Sequence, residues 1–315
     1  MTDPSETTTA AIKPRVPTRF LRIPIGGRFR ATLVDAESRA GPRRGKINIA
    51  LWLSVGWLAM VLAGAVLAPW LGFLEDPNRP LAGDPELGPS WSHWFGTDQL
   101  GRDMFARSVW GSRLSLSIAG PAVGIGVVVG GVLGVMAGYF GKWIDLVVSS
   151  VVNVALALPA LVFALFIVTV LGQSYVNVTI AVTVLSIPAI ARIARAQALR
   201  FAAREFVTVA KTMGARWPRI LFRDVLPNVV PALASIAFLA MGIVIIAEGS
   251  LSFIGVSVGS PSITWGNILA AGRGRLEESP HIALTTGGVM FATLMALNFV
   301  GDELLRRLDV REARI

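Results

Sequence analysis

Six apolar runs, each close to the length of a bilayer crossing, limit what this chain can fold into. They cover residues 47–71, 114–139, 146–171, 178–193, 229–256 and 282–300. A helix needs roughly 20 apolar residues to cross the hydrocarbon core, where no water satisfies an irregular backbone. Of the 315 residues, 53% are hydrophobic and 16% charged. A soluble domain carries roughly a quarter charged residues, so this surface is expected to face lipid. The predicted class is therefore an all-α integral membrane protein with six transmembrane helices. Pro159 is expected to kink or break the third run, and Pro188 lies near the end of the fourth. Gly124, Gly126, Gly130, Gly131, Gly134 and Gly138 in the second permit close helix approach.

The division that follows is a basic amino-terminal segment at 1–46, a first transmembrane helix at 47–72, and an extracytoplasmic loop at 73–113. A core follows at 114–301, then a charged tail at 302–315. The first segment is expected to be largely disordered, with an amphipathic piece at 28–46 lying on the membrane. No cleaved signal peptide is expected, because the first apolar run is too long for one. Trp52, Trp57 and Trp70 are candidate interface anchors.

The net charge is +9 and the isoelectric point about 11.0. The bases cluster beside apolar runs, which is a topology signal and excludes nucleic acid as the expected partner. With six spans, residues 1–46, Lys142 and the arginine-rich stretch from Arg192 to Arg223 fall on one side. The loops at 74–112 and 257–280 fall on the other. Basic residues favour the cytoplasmic side, so both termini are expected there. The chain has no cysteine and two histidines, His93 and His281, so thiolate chemistry is excluded and no metal site is expected. Gly41 to Lys46 lacks the spacing of a phosphate-binding loop. No catalytic residues are identified, and any ATP hydrolysis would belong to a partner.

Three blocks carry chemistry. In the first, 204–218, a short helix is expected to carry an apolar stripe of Phe206, Val209, Ala210 and Met213 opposite Arg204, Thr208 and Lys211. Gly214 is suited to end it in a left-handed conformation, and Pro218 to open a second short helix. In the second block, Thr97 or Asp98 is a candidate cap for a short helix whose first turns would include Asp103. In the third, Glu248 is a carboxylate inside an apolar run, near Ser250 and Ser252. Such an acid either lines a translocation path or pairs with an arginine or hydroxyl at an interface.

The first block resembles the coupling-helix motif of ABC importer permeases, in Ala210, Gly214, Leu226 and Pro227. Thr208 stands where that pattern has Glu, Val209 where it has the first Ala, and Asp224 where it has an apolar residue. Gly96, Thr97, Asp98, Gly101, Arg102 and Asp103 are similar to the signature of the dipeptide/oligopeptide branch, whose C-type permease this sequence resembles. The stretch from Glu248 to Gly255, then Trp265 and Gly266, also resembles that branch. The resemblance covers roughly residues 90–312.

It implies a type I ABC importer permease fold, a five-helix core plus an extra N-terminal span, in the bacterial cell membrane. Glu205, Thr208, Val209, Ala210, Gly214, Ala215, Leu226 and Pro227 would couple to the ATPase. The implied partners are a homologous second permease, two ABC ATPase domains carrying ATP and Mg, an extracytoplasmic substrate-binding protein, peptide and membrane lipid. No cofactor is implied in this chain itself. Nickel, glutathione and other small solutes are alternative cargoes in the same family. An ion-coupled secondary transporter is a further alternative, although no inverted repeat is evident.

Overall fold

The computed structural model describes residues 49–72, 74, 76–79 and 84–312, with side chains through Arg307. The segment at 1–46 and its expected surface helix lie outside these residues. Helix α1 spans Ile49–Leu67 and continues as a 3-10 turn, Ala68–Trp70. Then come α2 (Met104–Phe140), α3 (Lys142–Ala157), α4 (Ala160–Leu171) and α5 (Tyr175–Ala202). The short α6 (Glu205–Thr212) is followed by α7 (Trp217–Arg219), a π-helical turn (Ile220–Val225) and α8 (Leu226–Ile254). Last are α9 (Trp265–Gly272) and α10 (His281–Glu312).

Five of these segments are long and apolar enough to cross a membrane, and the bent pair α3–α4 supplies the sixth. The bend is 86° and falls at Leu158–Pro159, as Pro159 predicts. Proline pushes the preceding residue out of helical geometry, and Leu158 is extended, with ψ 135°.

Several boundaries differ from the sequence expectation. Helix α2 starts at Met104, well before residue 114, because Asp103 caps it by accepting from the Ala106 amide at 2.7 Å. The loop expected through residue 113 therefore ends at the cap. Ser174 caps α5 in the same way, and α5 runs to Ala202, past the expected end at 193, so its arginines ride on helix. The fifth span is helical from Trp217 rather than from 229. The charged tail expected at 302–315 is helical as far as Glu312, as a continuation of α10. Glu303 pairs there with Arg306 and Arg307 one turn on, and the segment holds no helix breaker after Gly301.

Helices α2 and α5 make the closest crossing. A Cβ on Gly130, Gly134 or Gly138 would sit 2.6, 2.3 or 2.6 Å from the carbonyl oxygens of Ile187, Ala191 or Arg195. One on Gly126 would sit 2.2 Å from Ser186 Oγ. Ala191, Ala194 and Ala198 complete the contact from α5 and are buried. Lipid supplies no hydrophobic drive between helices, so such backbone approach is how they gain packing energy. By contrast, Gly124 faces open space.

Two apolar clusters flank this crossing. One, around Ile118, Ala122, Val178, Val182, Ile245 and Leu251, ties α2 and α5 to α8. The other, around Ile190, Ala194, Phe201, Val225 and Val229, also takes in Val207 of α6. Helix α1 joins through Trp57, whose Nε1 donates to Thr293 Oγ1 of α10 at 3.0 Å.

Gly134→Ala is expected to destabilise the detergent-purified protein by about 1–3 kcal/mol, because α5 backbone must retreat. Gly124→Ala should be neutral or slightly stabilising. Thermal unfolding of the two variants side by side checks this, and equal melting points would contradict the close crossing.

Candidate functional site

Helix α6 stands at the end of the bundle where α2 turns into α3. Phe140 packs edge-on against Trp217 with ring centroids 5.2 Å apart, and Lys211 lies 5.8 Å from the Tyr139 ring centre. Glu205 opens α6, where a negative charge complements the helix dipole. Gly214 ends it with φ +78°. The Ala215 amide donates to the Ala210 carbonyl at 3.0 Å, and the Gly214 amide to that of Lys211 at 3.0 Å. Those two bonds make a Schellman cap, which requires a left-handed residue at Gly214. The expected helix stop is therefore present. The expected second short helix is not separate, because α7 and the π turn lead directly into α8. Leu226 and Pro227 lie in the first turn of α8, where Leu226 packs against the same cluster as Val207, Ala210 and Ala215.

Of the expected stripe on α6, Phe206, Val209 and Met213 face outward, whereas Ala210 packs inward. Val207, not on that stripe, is the buried anchor at 0% exposure, with Ala210 half-buried beside it. Phe206, Val209 and Met213 are 46%, 54% and 81% exposed. They fall at i, i+3 and i+7, so one apolar ridge points away from the bundle. Thr208 is exposed next to it. Phe206 and Met213 follow from the same periodicity as Val209, although the family motif alone does not mark them.

At the opposite end, the 96–103 loop is a closed polar structure. One Asp98 oxygen accepts from the Leu100 and Arg102 amides at 2.9 and 3.0 Å. The other meets the Arg102 guanidinium at 2.7 Å and Arg107 at 3.6 Å. Asp98 thus shapes the loop, while Asp103, not Thr97 or Asp98, caps the helix. His93 Nδ1 lies 3.0 Å from Asp103 Oδ2. Thr97 Oγ1 accepts from the Leu87 amide at 2.8 Å, and the Thr97 carbonyl accepts from His281 Nε2 at 3.0 Å. Gly96 and Gly101 have φ +75° and +69°. A Cβ on Gly96 would meet Leu87 O at 2.3 Å and the His281 ring at 2.7 Å. All six signature residues therefore lie in one loop that fastens the segment before α2 to the start of α10.

Glu248 is buried in α8 at 2% exposure. Its Oε1 accepts from Ser252 Oγ, Ser257 Oγ and Thr264 Oγ1, each at 2.9 Å. Oε2 has no hydrogen-bond partner among the described residues. Thr264 also caps α9 through the Asn267 amide at 3.1 Å. The neighbouring Trp265 donates from its amide to Ser115 Oγ at 3.1 Å and from Nε1 to Ser108 O at 2.9 Å. The partner of Glu248 is thus a hydroxyl set within this chain rather than an arginine. Ser257 and Thr264 were not singled out in the sequence. Ser250 does not join the set, since its hydroxyl donates to Ile246 O on its own helix at 2.8 Å.

Residues 130–314 match the family model described as "Binding-protein-dependent transport system inner membrane component". Among curated relatives, the Dipeptide transport system permease protein DppC of Alkalihalophilus pseudofirmus is 36% identical over 70% of this chain and 73% of its own. A putative peptide permease protein of Brucella suis is 37% identical over 71% and 74%. The Glutathione transport system permease protein GsiD of Escherichia coli is 35% identical over 80% and 84%. A solved chain of the inward-facing MetNI methionine ABC transporter superposes with a TM-score of 0.54 at 20% identity. It covers 65% of this chain and 96% of its own. The expected all-helical fold, a type I importer permease core, is thereby borne out. By the family match over most of its length and by these relatives, the chain belongs to the inner-membrane components of binding-protein-dependent transport systems.

Proposed function

We propose that this chain is the permease subunit of an ATP-driven importer that moves di- or oligopeptides into the cytoplasm by alternating access. The observation that carries the coupling part is the outward ridge of Phe206, Val209 and Met213 on α6. A helix of eight residues is too short to cross a bilayer. Its exposed Phe206 and Val209, with Met213 at its C-cap, suit a protein groove, and each yields roughly 1.5–3 kcal/mol when fully buried. The peptide part rests on relatives named for dipeptides, peptides and glutathione, itself a small peptide.

On this reading the ridge docks on one of two ABC ATPase domains, which carry ATP and Mg. A second, homologous permease completes the membrane part, and an extracytoplasmic binding protein delivers the cargo. Val207 ties α6 to the cluster shared by α5 and α8, so displacement of α6 is passed to those spans. The positive-inside bias of Lys142 and the α5–α8 arginines supports cytoplasmic termini. The Glu248 hydroxyl set is read as a buried pin holding the α8–α9 corner.

Gly214→Val should abolish uptake while the protein still inserts, because a branched residue at φ > 0 costs about 1–2 kcal/mol and tilts α6. Val209→Asp should have the same effect and Thr208→Glu none. Substrate-stimulated ATP hydrolysis in the reconstituted complex checks this, and normal stimulation in both damaging variants would sink the docking assignment. Glu248→Gln keeps an acceptor for the three hydroxyls and should assemble nearly normally with unchanged substrate preference. Glu248→Leu strands three buried donors, about 1–3 kcal/mol each, and should lose assembly. Altered preference with intact assembly in Glu248→Gln would favour a path-lining acid instead. A reporter active only outside the cytoplasm should give signal when fused at Gly274 and none at Gly141. The reverse pattern would invert the topology.

A further inference from the structure

The lipid-facing surface of these helices is recognisable by its large exposed apolar side chains. Helix α3 exposes Val147, Val151 and Val154, α4 exposes Val162, Phe166 and Val170, and α10 exposes Leu284 and Phe291. Helix α5 departs from this pattern. Between Ile180 and Leu199 it exposes no large apolar side chain. Its outward residues over that stretch include Ala189, Arg192 and Ala196, which share one face at i, i+3 and i+7. At 1.5 Å per residue, Arg192 lies about 15 Å from the end of α5, one helical turn deeper along α5 than Arg195, whose partner Asp145 is in the first turn of α3.

Helix α3 presents a polar stripe to the same place. Asp145, Ser149 and Asn153 recur at i, i+4 and i+8, off the valine face. Asp145 is ion-paired to Arg195 of α5, and its Oδ1 accepts from Ser149 Oγ at 3.0 Å. Arg192 donates to Asn153 Oδ1 at 3.1 Å. Among the described residues no carboxylate is recorded against it, whereas Arg195 has Asp145. Ser149, Asn153, Arg192 and Arg195 line a cavity of about 190 Å³ between the two helices. Val148, Val152 and Ala191 complete the lining, and the polar groups with this volume give room for water molecules. A guanidinium at this depth facing acyl chains would be costly, so it calls for water or a polar partner.

We infer that the Ala189–Arg192–Ala196 face of α5, with the Ser149–Asn153 stripe of α3, lines the aqueous translocation path in the half of the bundle nearer α6. Arg192 gives that wall a positive potential that receives the anionic end of the cargo. That the anion is a peptide carboxylate rests on the peptide reading above, whereas the wall itself does not. Small residues alone would equally suit a helix of the second permease. A guanidinium with no carboxylate against it among the described residues favours water.

The chain has no native cysteine, so single-cysteine labelling is clean. In the assembled transporter in inverted membrane vesicles, Ala189→Cys and Ala196→Cys should react with a charged, membrane-impermeant thiosulfonate. They should react at least about tenfold faster than Val151→Cys and Val154→Cys on the lipid-facing side, which exclude charged reagents. Labelling no faster than these controls, or cross-linking of the α5 cysteines to the second permease, would overturn the wall assignment. At Ala189→Cys the ratio of anionic to cationic reagent rates should fall about three- to tenfold with Arg192→Gln and recover with Arg192→Lys. An unchanged ratio would overturn the role of Arg192. Neither readout needs transported cargo, so a failure of the peptide reading would show separately as absent peptide uptake by the unmodified transporter.

Discussion

The crossing of α2 and α5 at glycine distance is the contact on which the remaining packing depends. Its four glycines, Gly126, Gly130, Gly134 and Gly138, bring one helix against the carbonyls and hydroxyl of the other, with no room for a Cβ at any of them. In hydrocarbon, helices gain little from burying apolar surface against each other, and dispersion across close backbones becomes the main attraction. Once the two helices are locked, their flanks define where the other helices sit. Helix α8 packs along one side through Leu233, Val244 and Ile245, and α3 lies along α5 with its acid opposite Arg195.

Both ends of the bundle are then tied down by different chemistry. At the α6 end the ties are apolar. Val207 enters the cluster that holds α5 to the π turn and to α8, so the short helix is an extension of two spans rather than a loose appendage. At the other end the ties are polar. Asp98, Asp103, His93 and His281 close the 96–103 loop over the start of α2 and against α10, and Arg275 pairs with Glu86. A polar loop at one end and an apolar knob on a short helix at the other agree with the proposed importer role, in which cargo arrives at one end and an ATPase docks at the other. Glu248 is the exception, a polar group sunk into the bundle. Its three hydroxyl donors lie on α8, the following loop and the cap of α9, which makes one carboxylate oxygen the fastening point for three segments.

Much of this was legible in the sequence where one residue fixes the geometry. Pro159 marked the break between α3 and α4, and Gly214 the end of α6. The glycine content of the second run marked a close crossing. The failures came where apolarity was used to place boundaries. Met104 to Ser112 is polar enough to resemble a loop, yet the Asp103 cap and burial against α9 make it helix. The arginines of α5 hid its last turns in the same way, because a helix leaving the membrane keeps its hydrogen bonds while its composition changes. The stripe expected on α6 divides, with Ala210 turned in beside Val207 and Phe206, Val209 and Met213 turned out, because periodicity does not say whether a residue points in or out. Val207 settled that through tertiary packing. Likewise Ser252, four residues from Glu248, was within sequence reach, whereas Ser257 and Thr264 reach the carboxylate only because the chain reverses at Gly255.

In the proposed mechanism α6 is the mechanical link, its apolar ridge seated on an ATPase subunit and its buried side fastened to α5 and α8. The most direct measurement places the only cysteine of the chain at Met213 and adds a short bifunctional maleimide to the assembled transporter, with and without ATP. The predicted result is an adduct joining this chain to an ATPase subunit, with a yield that changes between the two nucleotide conditions. An adduct to lipid-facing neighbours only, or none at Met213 while a cysteine in place of Trp91 in the opposite-end loop links to the ATPase, would contradict it.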